Sequence, residues 1–340
     1  MLEKIKIVRT DQELECPHLD QELRDKGFHL VLLPDNVSEK VLVQETRDAD
    51  LILMCYTPIT TQVIENAVKL KGIVKYGVGI DAIDITAARG RKIPVVNIPE
   101  YAEETVAEAA FTLMIALAKK LILLHNTMQQ DGWAWPTSRW LGSDLAEKTL
   151  GLVGTGRIGR SMARMAGAGF RMRVMGFDPN VSAETMSTFG VEKIDDLIGM
   201  LEQSDFVSIH SVLNETTHNL IGERELARMK SSAFIINVSR GAIIDENALL
   251  EALKSGQISG VGLDVFSSEP LAKSNHLLSE LYSMENVILY PHLSFYTTEA
   301  MQRLERETLQ RCLEILDGQP VLVKSEDPRL QTQQHGVTYE

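Results

Sequence analysis

The sequence predicts an α/β protein built from two doubly wound parallel-sheet domains. Three observations carry this: a length of 340 residues, two separate series of short apolar runs alternating with helix-like stretches, and a glycine-rich turn inside the second series. A chain this long exceeds one ordinary domain and suits two of roughly 100 to 200 residues. Two domains imply a cleft.

The first series runs through Ile5 to Val8, Leu30 to Leu33, Leu51 to Met54, Ile73 to Val74 and Val95-Val96, with polar helical stretches between, the rhythm of βαβ units. Asn97-Ile98-Pro99 ends it. From Ala102 to Leu124 the apolar residues Ala102, Val106, Ala109, Ala110, Leu113, Met114 and Leu117 fall on one helical face, so one long helix is expected to bridge the domains. Residues 125–148 hold all three tryptophans, Trp133, Trp135 and Trp140. This arm either packs on a second subunit or folds back on its own domain.

The second series supplies six expected strands: Leu150 to Val153, Val174 to Phe177, Phe206 to Ile209, Phe234 to Val238, Val261 to Val265 and Val287 to Tyr290. Residues 298–316 read as a helix returning to the first domain. The expected division is therefore 1–98 with 299–325, then 99–298, and a polar tail over 326–340 that is expected to be disordered.

Gly154-Thr155-Gly156-Arg157-Ile158-Gly159 is a weak signal by itself, and its surroundings decide its meaning. A strand precedes it, Arg160 to Ala168 reads as a helix, and the next strand ends at Asp178, 19 residues beyond Gly159. That is the dinucleotide-binding arrangement of a Rossmann domain. The glycines allow the turn and the approach of a pyrophosphate to the helix N-terminus. Asp178 suits ribose hydroxyls and repels a 2′-phosphate, and Pro179-Asn180 offers no cation, so NAD is expected over NADP.

Ligands of such sheets bind beyond the carboxyl ends of the strands. The residues there are His210, Arg240, Asp264, Glu269 and His292. Reduction of a carbonyl needs a proton donor, for which histidine is suited, and a carboxylate beside it raises its pKa and fixes its tautomer. His292 with Glu269 fits that pairing. A substrate carboxylate asks for a charged planar fork, which Arg240 offers. In the first domain Gly77-Val78-Gly79 follows a strand and precedes a helix expected near Asp81; it is either an anion site of successive amides or a turn needing glycine for its dihedrals.

Composition limits the partners. Apolar residues make up 44% and charged residues 24%, as in ordinary globular proteins. With 34 basic and 47 acidic residues the formal charge is -13, which disfavours nucleic acid and anionic membrane and requires local donors for any anionic ligand. Cys16, Cys55 and Cys312 have neither disulfide nor metal spacing. Charges in Met1-Leu2-Glu3-Lys4-Ile5-Lys6 and the shortness of the apolar run Ala109 to Ala118 lead to the expectation of an unprocessed, cytoplasmic protein.

Over roughly residues 45–320 the chain resembles the D-isomer-specific 2-hydroxyacid dehydrogenases. The resemblance rests on Leu150 to Arg160, on Asn237-Val238-Ser239-Arg240-Gly241, on Gly262 to Phe266 followed by Ser268-Glu269-Pro270, and on Tyr290-Pro291-His292. It implies a Rossmann NAD domain inserted in a flavodoxin-like substrate domain, a homodimer, and NADH reduction of a small 2-oxoacid to the 2-hydroxyacid with Arg240, Glu269 and His292 as catalysts. It further implies that the Val78 and Gly79 amides grip the substrate carboxylate and that Asp264 orients the nicotinamide. His210, Thr105, Val238 and Ser239 join Gly154, Gly156, Arg157, Ile158, Gly159 and Asp178 as expected cofactor contacts, with Tyr56 and Tyr296 at the substrate.

Substrate identity divides the resemblance. Cys55-Tyr56-Thr57-Pro58 stands where phosphoglycerate-oxidising relatives offer an arginine, so phosphoglycerate is disfavoured unless Lys75 or Arg139 substitutes; little chain follows Pro320 for a regulatory domain. Phe295-Tyr296 after His292 resembles the D-lactate dehydrogenases and the C-terminal-binding corepressors. Besides the enzyme, the alternatives are an NAD(H)-sensing corepressor-like scaffold and an enzyme acting on phosphoglycerate or a small anion such as phosphite or formate.

Overall fold

A computed structural model describes residues 4–340. The chain forms two compact units, Met1–Ala102 with Thr297–Glu340, and Glu103–Tyr296.

In the first unit, β1 (Lys6–Arg9), β2 (His29–Leu32), β3 (Leu51–Met54), β4 (Gly72–Lys75) and β5 (Val95–Asn97) form a parallel sheet in the order β2-β1-β3-β4-β5, a flavodoxin-like order. β3, β4 and β5 are buried along their whole length, which is why they read as continuous apolar runs. The helix after the Gly77-Val78-Gly79 turn spans Ile85–Gly90 and is capped by Asp84, whose carboxylate accepts the Ala87 amide at 2.9 Å. It therefore begins later than the expected start near Asp81.

In the second unit, β6 (Thr149–Val153), β7 (Arg173–Phe177), β8 (Glu192–Lys193), β9 (Phe206–Ile209), β10 (Phe234–Asn237), β11 (Gly260–Leu263) and β12 (Val287–Leu289) form one sheet, ordered β12-β11-β10-β9-β6-β7-β8 and parallel throughout. Order reverses between β6 and β9, the switch point where such sheets bind ligands. Alternate side chains enter two cores: Phe234 and Ile236 join helix Glu103–Ala118 on one face, and Ile235 joins helix Glu246–Lys254 on the other. β8 adds a seventh strand to the six expected. It is a short, charged edge strand, and an edge needs no apolar alternation to be paired on one side.

The single expected helix from Ala102 to Leu124 is two. Helix Glu103–Ala118 ends before Lys120, whose left-handed backbone (φ 51°) separates it from helix Leu121–Asp131. The first helix buries nine residues, whereas the second buries only Thr127. The apolar face that suggested continuity stops where the sheet stops supporting it.

The C-terminal tail also departs from expectation. Instead of a disordered end, β13 (Val321–Val323) pairs in parallel with β14 (Val337–Tyr339), with helix Pro328–Gln331 between them. Gln333 explains much of the order. Its carboxamide oxygen accepts from the Val95 amide at 2.7 Å and its Nε2 donates to the Val95 carbonyl at 2.8 Å. A side chain thus acts as a strand partner at the sheet edge, and polarity alone did not signal that role. Gln333→Ala is expected to destabilise the protein by about 1–3 kcal/mol, because both Val95 groups lose a buried partner; equilibrium denaturation with an unchanged m-value checks it.

Candidate active site

The second unit places Arg240, Glu269 and His292 at the carboxyl edge of one sheet. Arg240 is three residues past β10, Glu269 lies in the loop after β11, and His292 follows β12 through Tyr290 and Pro291. His292 Nδ1 lies 2.6 Å from Glu269 Oε2, while Glu269 Oε1 accepts the Phe266 amide at 2.8 Å. Both carboxylate oxygens are committed, so the carboxylate cannot rotate away from the imidazole. Burial opposes ionisation of Glu269, yet the His292 hydrogen bond and charge, the Phe266 amide and the Arg240 charge together hold its pKa below the ordinary value. The pair is therefore set up as carboxylate and ring N–H donor.

His292 itself has a left-handed backbone, φ 57°, which is uncommon for a residue with a Cβ. Asp264 holds the chain just after it. Its carboxylate, 1% exposed, accepts the Leu293 amide at 2.9 Å and the Ser294 amide at 3.0 Å. Burial raises the Asp264 pKa against the pull of the Ser294 hydrogen bonds and the His292 charge.

The glycine fingerprint fits a dinucleotide. Gly154 has φ 93°, and a Cβ there would lie 2.6 Å from the Ser211 amide nitrogen; at Gly159 a Cβ would lie 2.5 Å from the Gly154 carbonyl oxygen. Around a Cβ at Gly156 there is open space. The first and last glycines bring turn, helix and neighbouring strand together, and the middle one leaves backbone open to a ligand. Helix Arg157–Arg164 starts directly after Gly156, earlier than the expected Arg160, and its first turn faces the loop as an anion site requires. Two buried polar atoms beside the loop, His210 Nδ1 and Ser211 Oγ, have no protein partner, a donor set suited to a polar ligand.

Other expected contacts are placed as follows. Asp178 Oδ2 accepts the Thr155 amide at 2.9 Å, so this carboxylate shapes the fingerprint loop. Arg157 pairs with Glu103 at 3.4 Å, Ile158 packs partly buried on the core, and Thr105 is buried in the first turn of helix Glu103–Ala118. Val238 is buried and Ser239 donates its hydroxyl to the Ser211 carbonyl. Tyr296 is exposed, edge-on to Phe295.

In the first unit, Val78 is 44% exposed after Gly77, whose φ is 148°. Tyr56 is exposed at the end of β3, with the Lys75 ammonium 5.4 Å from its ring centroid. Lys75 is buried and donates to the Cys55 carbonyl at 2.6 Å. Arg139 pairs with Glu285 at 2.6 Å and lies over the Trp140 ring. Lys75 and Arg139, the two cations named as substitutes for a phosphate-binding arginine, are thus both engaged with protein groups.

Three contributors were not singled out from the sequence. Asp11 accepts the amides of Cys55, Tyr56 and Thr57 at 2.8–3.0 Å and so fixes the Tyr56 loop. Asn97 donates to the Val78 carbonyl at 2.6 Å, and Asn237 bonds on both sides of Arg240 (below). Each stands at or just past a strand end. Among the described residues no His, Cys, Asp or Glu cluster is placed to hold a metal ion, the three cysteines are free and buried, and no helix is long and apolar enough to cross a membrane.

Comparison with known proteins identifies the family. Residues 111–294 match the D-isomer specific 2-hydroxyacid dehydrogenase NAD binding domain. A glyoxylate reductase of Korarchaeum cryptofilum is 38% identical over 92% of this chain and 94% of its own. The chain belongs to the D-isomer specific 2-hydroxyacid dehydrogenase family. It is an NAD-dependent oxidoreductase with the family's two-domain fold. A D-3-phosphoglycerate dehydrogenase of Methanocaldococcus jannaschii is also 38% identical, but the match spans 83% of this chain and 53% of that protein. Among solved structures, the D-lactate dehydrogenase of Aquifex aeolicus complexed with NAD and lactic acid superposes with a TM-score of 0.82 at 30% identity, over 92% of this chain and 96% of the other.

His210 gives this dehydrogenase a pH dependence of stability. Burial lowers its pKa from 6.5 to about 4, while Ser208 Oγ lies 2.8 Å from Nε2. Above pH 6.5 the ring is neutral in both folded and unfolded chains and contributes no slope. As pH falls from 6.5 towards 4 the unfolded chain takes up the proton first, so stability falls. Denaturation midpoints measured across this window are expected to drop more for the wild type than for His210→Gln, whose side chain does not titrate.

Proposed function

We propose that this dehydrogenase carries out reversible hydride transfer between NADH and the carbonyl of a small 2-oxoacid, with His292 as general acid/base and glyoxylate as the first substrate to test. The observation that carries the reading is the 2.6 Å contact of His292 Nδ1 with Glu269, at the sheet edge that also bears Arg240. Glyoxylate is favoured because several relatives, at 34–38% identity, bear the name glyoxylate reductase.

When bound, NADH would supply the hydride that the carbonyl carbon requires. Arg240 holds the substrate carboxylate through its planar fork and polarises the carbonyl. Glu269 accepts a hydrogen bond from Nδ1–H and orients the ring, leaving Nε2 to exchange a proton with the carbonyl oxygen. The Val78 and Gly79 amides are proposed as further carboxylate donors, and Tyr56 and Tyr296 as groups bordering the substrate. For the cofactor, the proposed contacts are Gly154, Gly156, Arg157, Ile158, Gly159, Thr105, Asp178, His210, Val238, Ser239 and Asp264. A cytoplasmic location is the reading that reduced cysteines support.

NADH oxidation by glyoxylate, pyruvate, hydroxypyruvate and branched 2-oxoacids, followed by absorbance, is expected to show turnover of the small members. His292→Ala is expected to lower kcat by on the order of 10²- to 10⁴-fold with NADH affinity nearly unchanged. Silence with every oxoacid while NADH still binds sinks the substrate class, and equal losses of turnover and NADH affinity sink the role of His292.

A homodimer is the assembly proposed. Trp133 and Trp135 are 60% and 75% exposed and Leu141 is 72% exposed, on an arm next to a helix that buries one residue, an apolar surface of the kind that subunit contacts cover. Light scattering is expected to give twice the monomer mass, and Trp133→Asp with Trp135→Asp to move it towards the monomer.

A further inference from the structure

We infer that Asn237 is the positioning residue of Arg240, a role that rests on the proposed function of Arg240 as the carboxylate fork. Asn237 is the last residue of β10, fully buried and paired on either side with Ile209 and Leu263. Its side chain turns back on the chain that follows. Oδ1 accepts the Ser239 amide at 3.0 Å and Nδ2 donates to the Arg240 carbonyl at 2.9 Å. The backbone on both sides of the Ser239–Arg240 peptide is thereby held by a single group.

The main chain of Asn237 ties the same point to the rest of the site. Its carbonyl accepts the Asp264 amide at 2.9 Å, and Asp264 in turn holds the two amides after His292. One residue beyond Arg240, Gly241 lies so close to the Phe266–Ser267 peptide that a Cβ would fall 2.0 Å from the Phe266 carbonyl carbon. Phe266 donates to Glu269. The backbone of Arg240 is therefore fixed by the Asn237 carboxamide before it and by the Gly241 contact after it, and the second contact relates it to Glu269. The Arg240 charge reaches Glu269 across this arrangement.

Only a short carboxamide supplies one acceptor and one donor in this order. An aspartate would set a carboxylate oxygen against the Arg240 carbonyl and place an anion in a fully buried site. An alanine would leave the Ser239 amide and the Arg240 carbonyl without this partner and the turn free to reorient. Arg240 would remain present but misdirected, and misplacement of an orienting group lowers the rate even when the group is chemically intact.

A double-mutant cycle tests this with glyoxylate and NADH. Asn237→Ala is expected to lower kcat/KM by about tenfold or more, with the NADH dissociation constant, read by fluorescence titration, within about threefold of wild type. Arg240→Ala with Asn237→Ala is expected to fall within about twofold of Arg240→Ala alone, since a residue acting through Arg240 has nothing left to position. Multiplication of the two losses, or an NADH affinity lost as much as kcat/KM, overturns the inference. Should Asn237→Ala fail to fold, Asn237→Ser runs the same cycle, keeping a short polar side chain without the carboxamide's paired donor and acceptor. Turnover retained in Arg240→Ala defeats the role of Arg240 itself, a result separate from either outcome for Asn237.

Discussion

Parallel pairing forces every strand of the second unit to leave the sheet through the same edge, and the arrangement of the site follows from that constraint. Glycine loop, His210, Arg240, Glu269 and His292 come from separate stretches of chain, yet each lies within a few residues of the carboxyl end of a strand. Helices cover both faces, so only the edge is free for chemistry. The reversal of strand order between β6 and β9 opens the crevice in which the fingerprint lies.

At such an edge the last amides of each strand and turn lack sheet partners, and this chain meets many of them with aspartates. Asp11 holds the amides of residues 55–57, Asp178 holds Thr155, and Asp264 holds Leu293 and Ser294. Asparagine does comparable work where both a donor and an acceptor are required, as at Asn237. The acidic excess of the sequence is thus partly inward: some carboxylates serve the backbone, and their burial is made tolerable by several N–H donors each. An anionic ligand still finds donors nearby, because the fingerprint glycine Gly156 and the start of the following helix remain open.

Legibility in the sequence followed burial. Strands buried on both faces, such as Leu51–Met54 and Phe234–Asn237, announce themselves as apolar runs, and their ends are found to within a residue or two. Polar segments at edges and surfaces do not. The pairing of Glu192–Lys193, the break at Lys120 and the ordered end held by Gln333 depend on which neighbour happens to stand beside a polar segment, and periodicity carries no trace of it. Asp264 shows the same limit within the site: its type and position mark it for function, but only the fold shows that it grips the loop bearing His292.

By itself the sequence determined the two parallel sheets, the dinucleotide fingerprint and the placement of Arg240, Glu269 and His292 beyond strand ends, because hydrophobic alternation and short glycine motifs are local properties of the chain. Tertiary structure decided what each of those groups touches. The 2.6 Å approach of His292 to Glu269, its left-handed backbone, the two-sided hold of Asn237 on Arg240 and the engagement of Lys75 with Cys55 join residues that are separate in sequence or depend on one exact turn. Such hydrogen bonds are fixed by distances of a few tenths of an ångström, which only the packed sheets and their connecting loops can set.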